Sequence, residues 1–368
     1  MHLPMLKPGH LPTRRPDGTI LIGPWLYGLA SALTDSSGLV WPLCRLLDGR
    51  HPVAEIAARM AAEHGATQDQ VQQILDLLEA HGWLLDAATT PPPELDPADV
   101  ARHTRTLDFL IGIDETPRAN HYELLAGLRR ASVTVLGLGG VGSAAAVSLA
   151  ATGVGRLHLL DFDTVELTNL NRQLLFAEAD LGRPKTEVVA ERLRALDSRL
   201  VVSTERTRIT AAADVAHALR GADLVLSCAD SPAEVRDWIN DACFAAGKPW
   251  LTAGYAGALV TMATMIPGRT CCYRCLSGPQ REQKRERGER IPELAGAAHH
   301  PVIAASAQIT ANQLALEGIR LLLGMPVQAA GREIHANLLD LGYHHVFEGK
   351  PLADCPAGCG ALLDVPVR

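Results

Sequence analysis

The chain of 368 residues carries no basic excess: 34 Lys and Arg stand against 41 Asp and Glu, a formal net charge of −7. That balance excludes the broad positive field that draws proteins to nucleic acid or anionic membranes, and leaves small molecules and proteins as partners. Also missing is the continuous apolar core of a secretory signal in the opening "MHLPMLKPGHLPTRRPDGTI", so export is not expected and a cytoplasmic location follows. No membrane span is expected either. The long uncharged stretches 132–155 and 249–268 are punctuated by glycines, and each parses as strand and turn rather than as a spanning helix. What the chain does have is apolar residues at 47% of positions, enough for two domains. Eight cysteines in a cytoplasmic chain point to metal or catalysis before disulfides.

Residues 53–86, "VAEIAARMAAEHGATQDQVQQILDLLEAHGWLLD", hold two runs of apolar residues at three- and four-residue spacing, split by "HGATQDQ". The pattern predicts a helix-turn-helix followed by a short strand at "GWLL". Upstream, "GTILIG" reads as a strand and "GLVWPLCRLLDG" as a helix, so residues 18–86 make a winged-helix-like unit within a domain spanning 1–88. Such a unit binds DNA or peptide. Residues 1–100 contain six Lys or Arg against twelve Asp or Glu, which opposes phosphate binding. "TTPPPELDP" then reads as a stiff extended linker within 89–104, ahead of a large domain at 105–368.

From residue 132 onward strands and helices alternate: "VTVLGLG", a helix from Gly142, "RLHLLDFD", a helix near 185–196, "LVVSTE", "ADLVLSCAD" and "KPWLTAGY". This predicts an α/β fold with a doubly wound, Rossmann-like, mainly parallel sheet whose ligands sit at the carboxyl ends of the strands. Residues 257–266 and 333–341 read as later strands, antiparallel to the rest. The charged stretch 281–293, "REQKRERGERIPE", reads as a solvated, mobile crossover segment.

Gly137, Gly139, Gly140 and Gly142 form GxGGxG, and Ser143 opens the helix that follows. Without side chains, such a turn lets backbone N–H groups and a helix N-terminus approach phosphate oxygens. Asp161, ending the next strand, stands where an acid accepts hydrogen bonds from ribose. These features alone favour NAD over ATP. The next residues reverse that preference: "TNLNRQ" brings Asn169 and Arg172, "GRPK" brings Lys185, and "SCAD" puts Asp230 at another strand end. A nicotinamide site has no use for two cations and a further carboxylate. Attack on the α-phosphate of ATP does, because charge develops on the phosphoryl oxygens and a carboxylate must hold Mg²⁺.

Together, GxGGxGS, "LLDFD", "NLNRQ", "GRPKTE" and "SCAD" closely resemble the ThiF-type adenylyltransferases, the superfamily of ubiquitin-activating enzymes and of sulfur-carrier activators, over residues 102–359. The resemblance implies Asp161 on ribose, Asn169, Arg172 and Lys185 on the ATP phosphates, and Asp230 on Mg²⁺. It also implies a homodimer in which an arginine ahead of the first strand reaches the partner's nucleotide. Arg105 in "RHTRTLDF" matches that residue, although Thr106 follows where the family has glutamine.

"CCYRC" gives Cys272-x-x-Cys275 and "CPAGC" gives Cys355-x-x-x-Cys359. Two such knuckles complete a tetrahedral structural Zn²⁺ site, with Cys271 left outside it. The second pair has one more intervening residue than the family's usual two. No cysteine lies between Cys275 and Cys355, where thioester-forming members carry their nucleophile, so covalent capture of the activated carboxylate is not expected.

The N-terminal unit resembles the precursor-peptide recognition elements of ribosomal peptide pathways, in which a leader strand adds to a sheet edge. "LTAGYAGALVTMATMIPGRTCCYRC" resembles the peptide-adenylating enzymes of the microcin C type. The implied activity is ATP-dependent adenylylation of the C-terminal carboxylate of a short ribosomal precursor peptide; the residues leave open a later nitrogen–phosphorus bond, a phosphoramidate. Two other readings are activation of a ubiquitin-like sulfur carrier and, without catalysis, presentation of a leader peptide to a partner enzyme.

Overall fold

The computed structural model describes residues 1–23, 30–286 and 301–362. The chain divides into two compact units, Met1–Gly127 and Leu128–Arg368. In the first, β1 (Pro4–Leu6), β2 (Thr13–Arg14), β3 (Ile20–Ile22) and β4 (Ser31–Leu33) precede α1 (Val40–Leu46), α2 (Val53–His64), α3 (Gln68–Ala80) and β5 (Leu84–Asp86). Strands β2, β3 and β4 form one small antiparallel sheet, and β1 pairs with β5 in another.

The apolar spacing of α2 and α3 places Ile56 and Met60, and Val71, Leu75 and Leu78, on their buried faces. They share a core with Ile20, Ile22, Leu43 and Trp83. The break between the helices is local chemistry. Gly65 ends α2 at φ 66°, a left-handed cap that costs glycine little. Thr67 and Gln70 then start α3 with a capping box, each side chain taking the other's backbone N–H at 3.2 and 2.9 Å.

The stretch read as an extended linker instead closes a turn, Leu95 N–H donating to Pro92 O at 3.0 Å. Leu95 is buried against Leu125 and Ala126, because an apolar side chain in a proline-rich run still gains by leaving water. Two helices follow, α4 (Pro97–Arg102) and α5 (Thr104–Ile113).

After α6 (Glu123–Arg130), the second unit runs β6 (Ser132–Leu136), α7 (Gly140–Thr152), β7 (Arg156–Leu160), α8 (Lys185–Leu196), β8 (Val201–Glu205), α9 (Ala212–Ala218), β9 (Leu224–Ser227), α10 (Val235–Ala245) and β10 (Trp250–Ala256). It ends with β11 (Leu259–Met265), α11 (Tyr273–Glu286), α12 (Ala304–Leu322), β12 (Arg332–Asn337) and β13 (Asp340–Glu348). The eight-stranded sheet has the order β13-β12-β11-β10-β9-β6-β7-β8. Its members from β10 to β8 pair in parallel, and β11, β12 and β13 extend it antiparallel. Strands β6 and β9 are mainly apolar and buried on both faces, as is usual for central parallel strands.

Two readings of this unit need correction. The single strand expected at 333–341 is the hairpin β12–β13, whose turn at Leu338 and Leu339 has neither Gly nor Pro to announce it; Asn337 and Asp340 carboxamide and carboxylate oxygens take the N–H groups of Leu339 and Gly342 instead. Of the charged stretch 281–293, residues 281–286 belong to α11, and the remainder lies outside the described residues. No helix among the described residues is long and apolar enough to cross a membrane.

Candidate functional site

Strand order reverses at β6, which has β7 on one side and β9 on the other. Open α/β sheets hold ligands at such a point, beyond the carboxyl ends of the strands. The glycine turn sits there, and its four glycines have different duties. Gly137 has φ 90°, and a Cβ on it would stand 2.8 Å from Ala229 N at the end of β9. On Gly142 a Cβ would fall 1.8 Å from Gly137 O. Both hold the turn itself together.

Gly139 faces space, with only Gln173 Nε2 at 3.9 Å from an added Cβ, and Gly140 is ringed by Ala307 Cβ, Tyr255 Oη and Arg172 Cγ at 3.2, 3.3 and 3.5 Å. Gly139 is also the N-cap of α7 and supplies no capping side chain, so the N–H groups of the first turn keep their donor capacity for an anion. Ser143 does not face this space: it is buried, and its hydroxyl donates back to Gly139 O at 2.7 Å.

The buried Asp161 carboxylate accepts the N–H of Leu138 at 2.5 Å and of Asp163 at 2.8 Å, one on each oxygen. This anchors it beside the glycine turn while each oxygen retains a lone pair for a further donor. Asn169 is buried, its carbonyl oxygen accepting Glu166 N–H at 3.1 Å. Arg172 Nη1 donates to Thr168 O and Asn171 Oδ1 at 2.8 and 3.0 Å. Burial raises the Tyr255 phenol above its ordinary pKa; the charge and hydrogen bond of Arg172 oppose the rise, and the charge of Asp230 adds to it. Arg172 and Tyr255 therefore meet in the space in front of Gly140, within reach of the charge of Asp230.

Asp230 itself is exposed just past β9, and it does not cap α10, whose N-cap is Glu234. Lys185 opens α8 with only 5% exposure, and its ammonium lies 3.1 Å from Asp163 Oδ2. Arg105 is exposed on α5, in the first unit. Sequence reasoning had not singled out Asp163, Gln173 or Tyr255. The first was legible as the second acid of "DFD"; Gln173, buried with an unpartnered Oε1, and Tyr255 carry no local signal.

Elsewhere in the unit, Cys272, Cys275, Cys355 and Cys359 bring their sulfurs within 4.8 Å of one another. Neighbouring pairs stand at 3.7, 3.4 and 3.5 Å, against about 3.8 Å for the edge of a tetrahedron with 2.3 Å zinc–sulfur bonds. Leu352 N–H donates to Cys275 Sγ at 3.3 Å, a backbone donor that steadies a thiolate ligand. Burial opposes ionisation of Cys355, but hydrogen bonds from the Cys359 backbone and the neighbouring thiols prevail and bring it down to about 7. Four converging sulfurs in a buried pocket can hold one Zn²⁺. Cys271 stands apart, its sulfur 3.9 Å from Gly331 O.

A model of the ThiF family matches residues 116–357. The chain belongs to the ThiF family. The sulfur carrier protein ThiS adenylyltransferase of Escherichia coli K12 is 38% identical over 200 residues, 54% of this chain and 74% of that protein. The molybdopterin-synthase adenylyltransferase of the same organism is 35% identical over 242 residues, 65% of this chain and 88% of that protein. Among solved structures, E. coli MccB with AMPCPP and MccA is similar with a TM-score of 0.73 at 22% identity, covering 96% of this chain and 99% of that one. MccB with ATP gives 0.71 over the same shares. This ThiF-family protein is an ATP-dependent adenylyltransferase.

Proposed function

We propose that the protein adenylylates the C-terminal carboxylate of a short ribosomal precursor peptide, which docks on the N-terminal winged-helix-like unit. One observation carries the choice of substrate: the likeness to MccB, solved with MccA, takes in 96% of the chain and therefore most of its first 100 residues. The match to the ThiS adenylyltransferase covers 54% of the chain, although that to the adenylyltransferase and sulfurtransferase MOCS3 of Culex quinquefasciatus covers 87% at 31% identity and keeps the carrier reading as the rival.

In this reading the N–H groups of Gly139 and Gly140 and the side chains of Asn169, Arg172 and Lys185 bind the triphosphate, with Ser143 shaping the turn between Gly137 and Gly142, and Asp161 takes the ribose. Asp230 would hold Mg²⁺, which supplies neutralising charge to the leaving pyrophosphate. A carboxylate oxygen of the acceptor attacks the α-phosphorus, the bond from that phosphorus to the bridging oxygen breaks, and pyrophosphate departs with the electron pair. No proton is transferred. Arg172 and Lys185 serve by opposing the charge that gathers on the phosphoryl oxygens. The four thiols hold a structural Zn²⁺, and the active form is a homodimer with Arg105 offered to the partner's nucleotide.

Peptides encoded by short reading frames beside the gene, and a ubiquitin-like carrier ending in Gly-Gly, form the test panel. The expected result is pyrophosphate release and an AMP adduct by mass spectrometry with a peptide. Release with the carrier and with no peptide would replace this reading by the second one, favoured by identity to the two sulfur-pathway relatives.

A further inference from the structure

Beside the nucleotide end of the sheet lies a polar recess that none of these roles uses. Across β10, β11 and β12, Gly254, Thr261 and His335 stand next to one another in register. Gly254 leaves a notch: Arg236 Nη2 and Thr261 Oγ1 lie 3.5 and 3.6 Å from the point its Cβ would occupy. One row further in, Ser227 and Thr252 are paired in register, and both hydroxyls are buried without a hydrogen-bond partner. Arg236, from α10, has its Nε buried without a partner and joins none of the ion pairs among the described residues. Burial raises the Cys228 thiol above its ordinary pKa; the charge of Arg236 opposes the rise and that of Asp230 adds to it.

A guanidinium whose Nε is buried without a partner, beside the strand that also buries the unpartnered Thr252 hydroxyl, is costly unless a ligand completes it. The reaction brings in one further anion, the acceptor's carboxylate, which has to approach an already negative triphosphate. We propose that Arg236 is the positioning residue that seats the acceptor carboxylate over Gly254, facing the α-phosphorus. The planar fork of arginine matches the two oxygens of a carboxylate and restrains its rotation. The inference rests on the adenylyltransferase reading and is indifferent to whether the acceptor is a peptide or a carrier.

The test compares the active member of the panel as its C-terminal acid and its C-terminal amide, binding to enzyme loaded with a non-hydrolysable ATP analogue. Wild-type enzyme should bind the acid about 30- to 100-fold more tightly, the range expected of a charge-assisted pair. In Arg236→Gln acid and amide should bind alike, acceptor KM should rise by the same factor, and the dissociation constant for ATP should stay within about twofold. Arg236→Lys should recover part of the loss. Gly254→Ala, which meets only ordinary van der Waals neighbours and so should fold normally, should fill the notch and raise acceptor KM about tenfold.

Retained discrimination between acid and amide in Arg236→Gln, or a loss confined to ATP binding, would overturn the proposal. If only the carrier is a substrate, the peptide reading falls and the same comparison on the carrier still decides Arg236.

Discussion

Gly139 and Gly142, three residues apart in one turn, forecast opposite failures. An alanine at 142 would press its methyl into Gly137 O, so Gly142→Ala should lose at least about 3 kcal/mol or fail to fold. Gly139→Ala has room and should melt like wild type while weakening ATP binding, since the methyl stands where a phosphate oxygen would approach. Thermal melts beside ATP calorimetry separate the two. His10 makes a different kind of prediction. Burial first, and the charge of Lys7 second, hold its imidazole down at about 4, and both ring nitrogens are buried without partners. The unfolded chain therefore takes up the proton first. The stability contributed by neutral His10 is complete above about pH 6.5 and drains as pH falls toward 4, by up to roughly 3 kcal/mol. His10→Gln should flatten that slope in denaturant titrations at pH 7, 5.5 and 4.5; an unchanged slope would refute it.

The element that ties the tail to the sheet is the four-thiol cluster between the start of α11 and the C-terminal Cys355 and Cys359. Structural Zn²⁺ contributes folding free energy directly. One zinc per chain is expected by elemental analysis, and a strong chelator or Cys359→Ser should lower the melting temperature. Cys271→Ser should leave the zinc count at one, because that sulfur lies outside the cluster. At this scale the residue order was a good guide where periodicity was long and a poor one at a turn. The α8 helix was legible from its apolar spacing. The β12–β13 hairpin was not, because its turn is closed by Asn337 and Asp340 side chains rather than by Gly or Pro.

At the scale of the whole molecule, the proposed homodimer can be tested by complementation. Arg105→Ala and Asp230→Ala, each expected to be inactive, should regain about a quarter of wild-type turnover when their protomers are mixed at random, as sites built from two chains require. No recovery, with subunit exchange verified, would place Arg105 outside the site. Two compact units divide at Gly127, with α4 and α5 in the first.

Local order was enough to determine the alternation of strands and helices, the glycine turn that opens α7 and the pairing of cysteines by spacing, because each depends on neighbours within a few residues. Only the tertiary structure decided that Lys185 pairs with Asp163, that Tyr255 reaches Gly140 and Arg172, and that Arg236 and Thr261 both border a bare Gly254. Those meetings follow from strand order and register, which arise when distant segments pack together and leave no periodic mark along the chain.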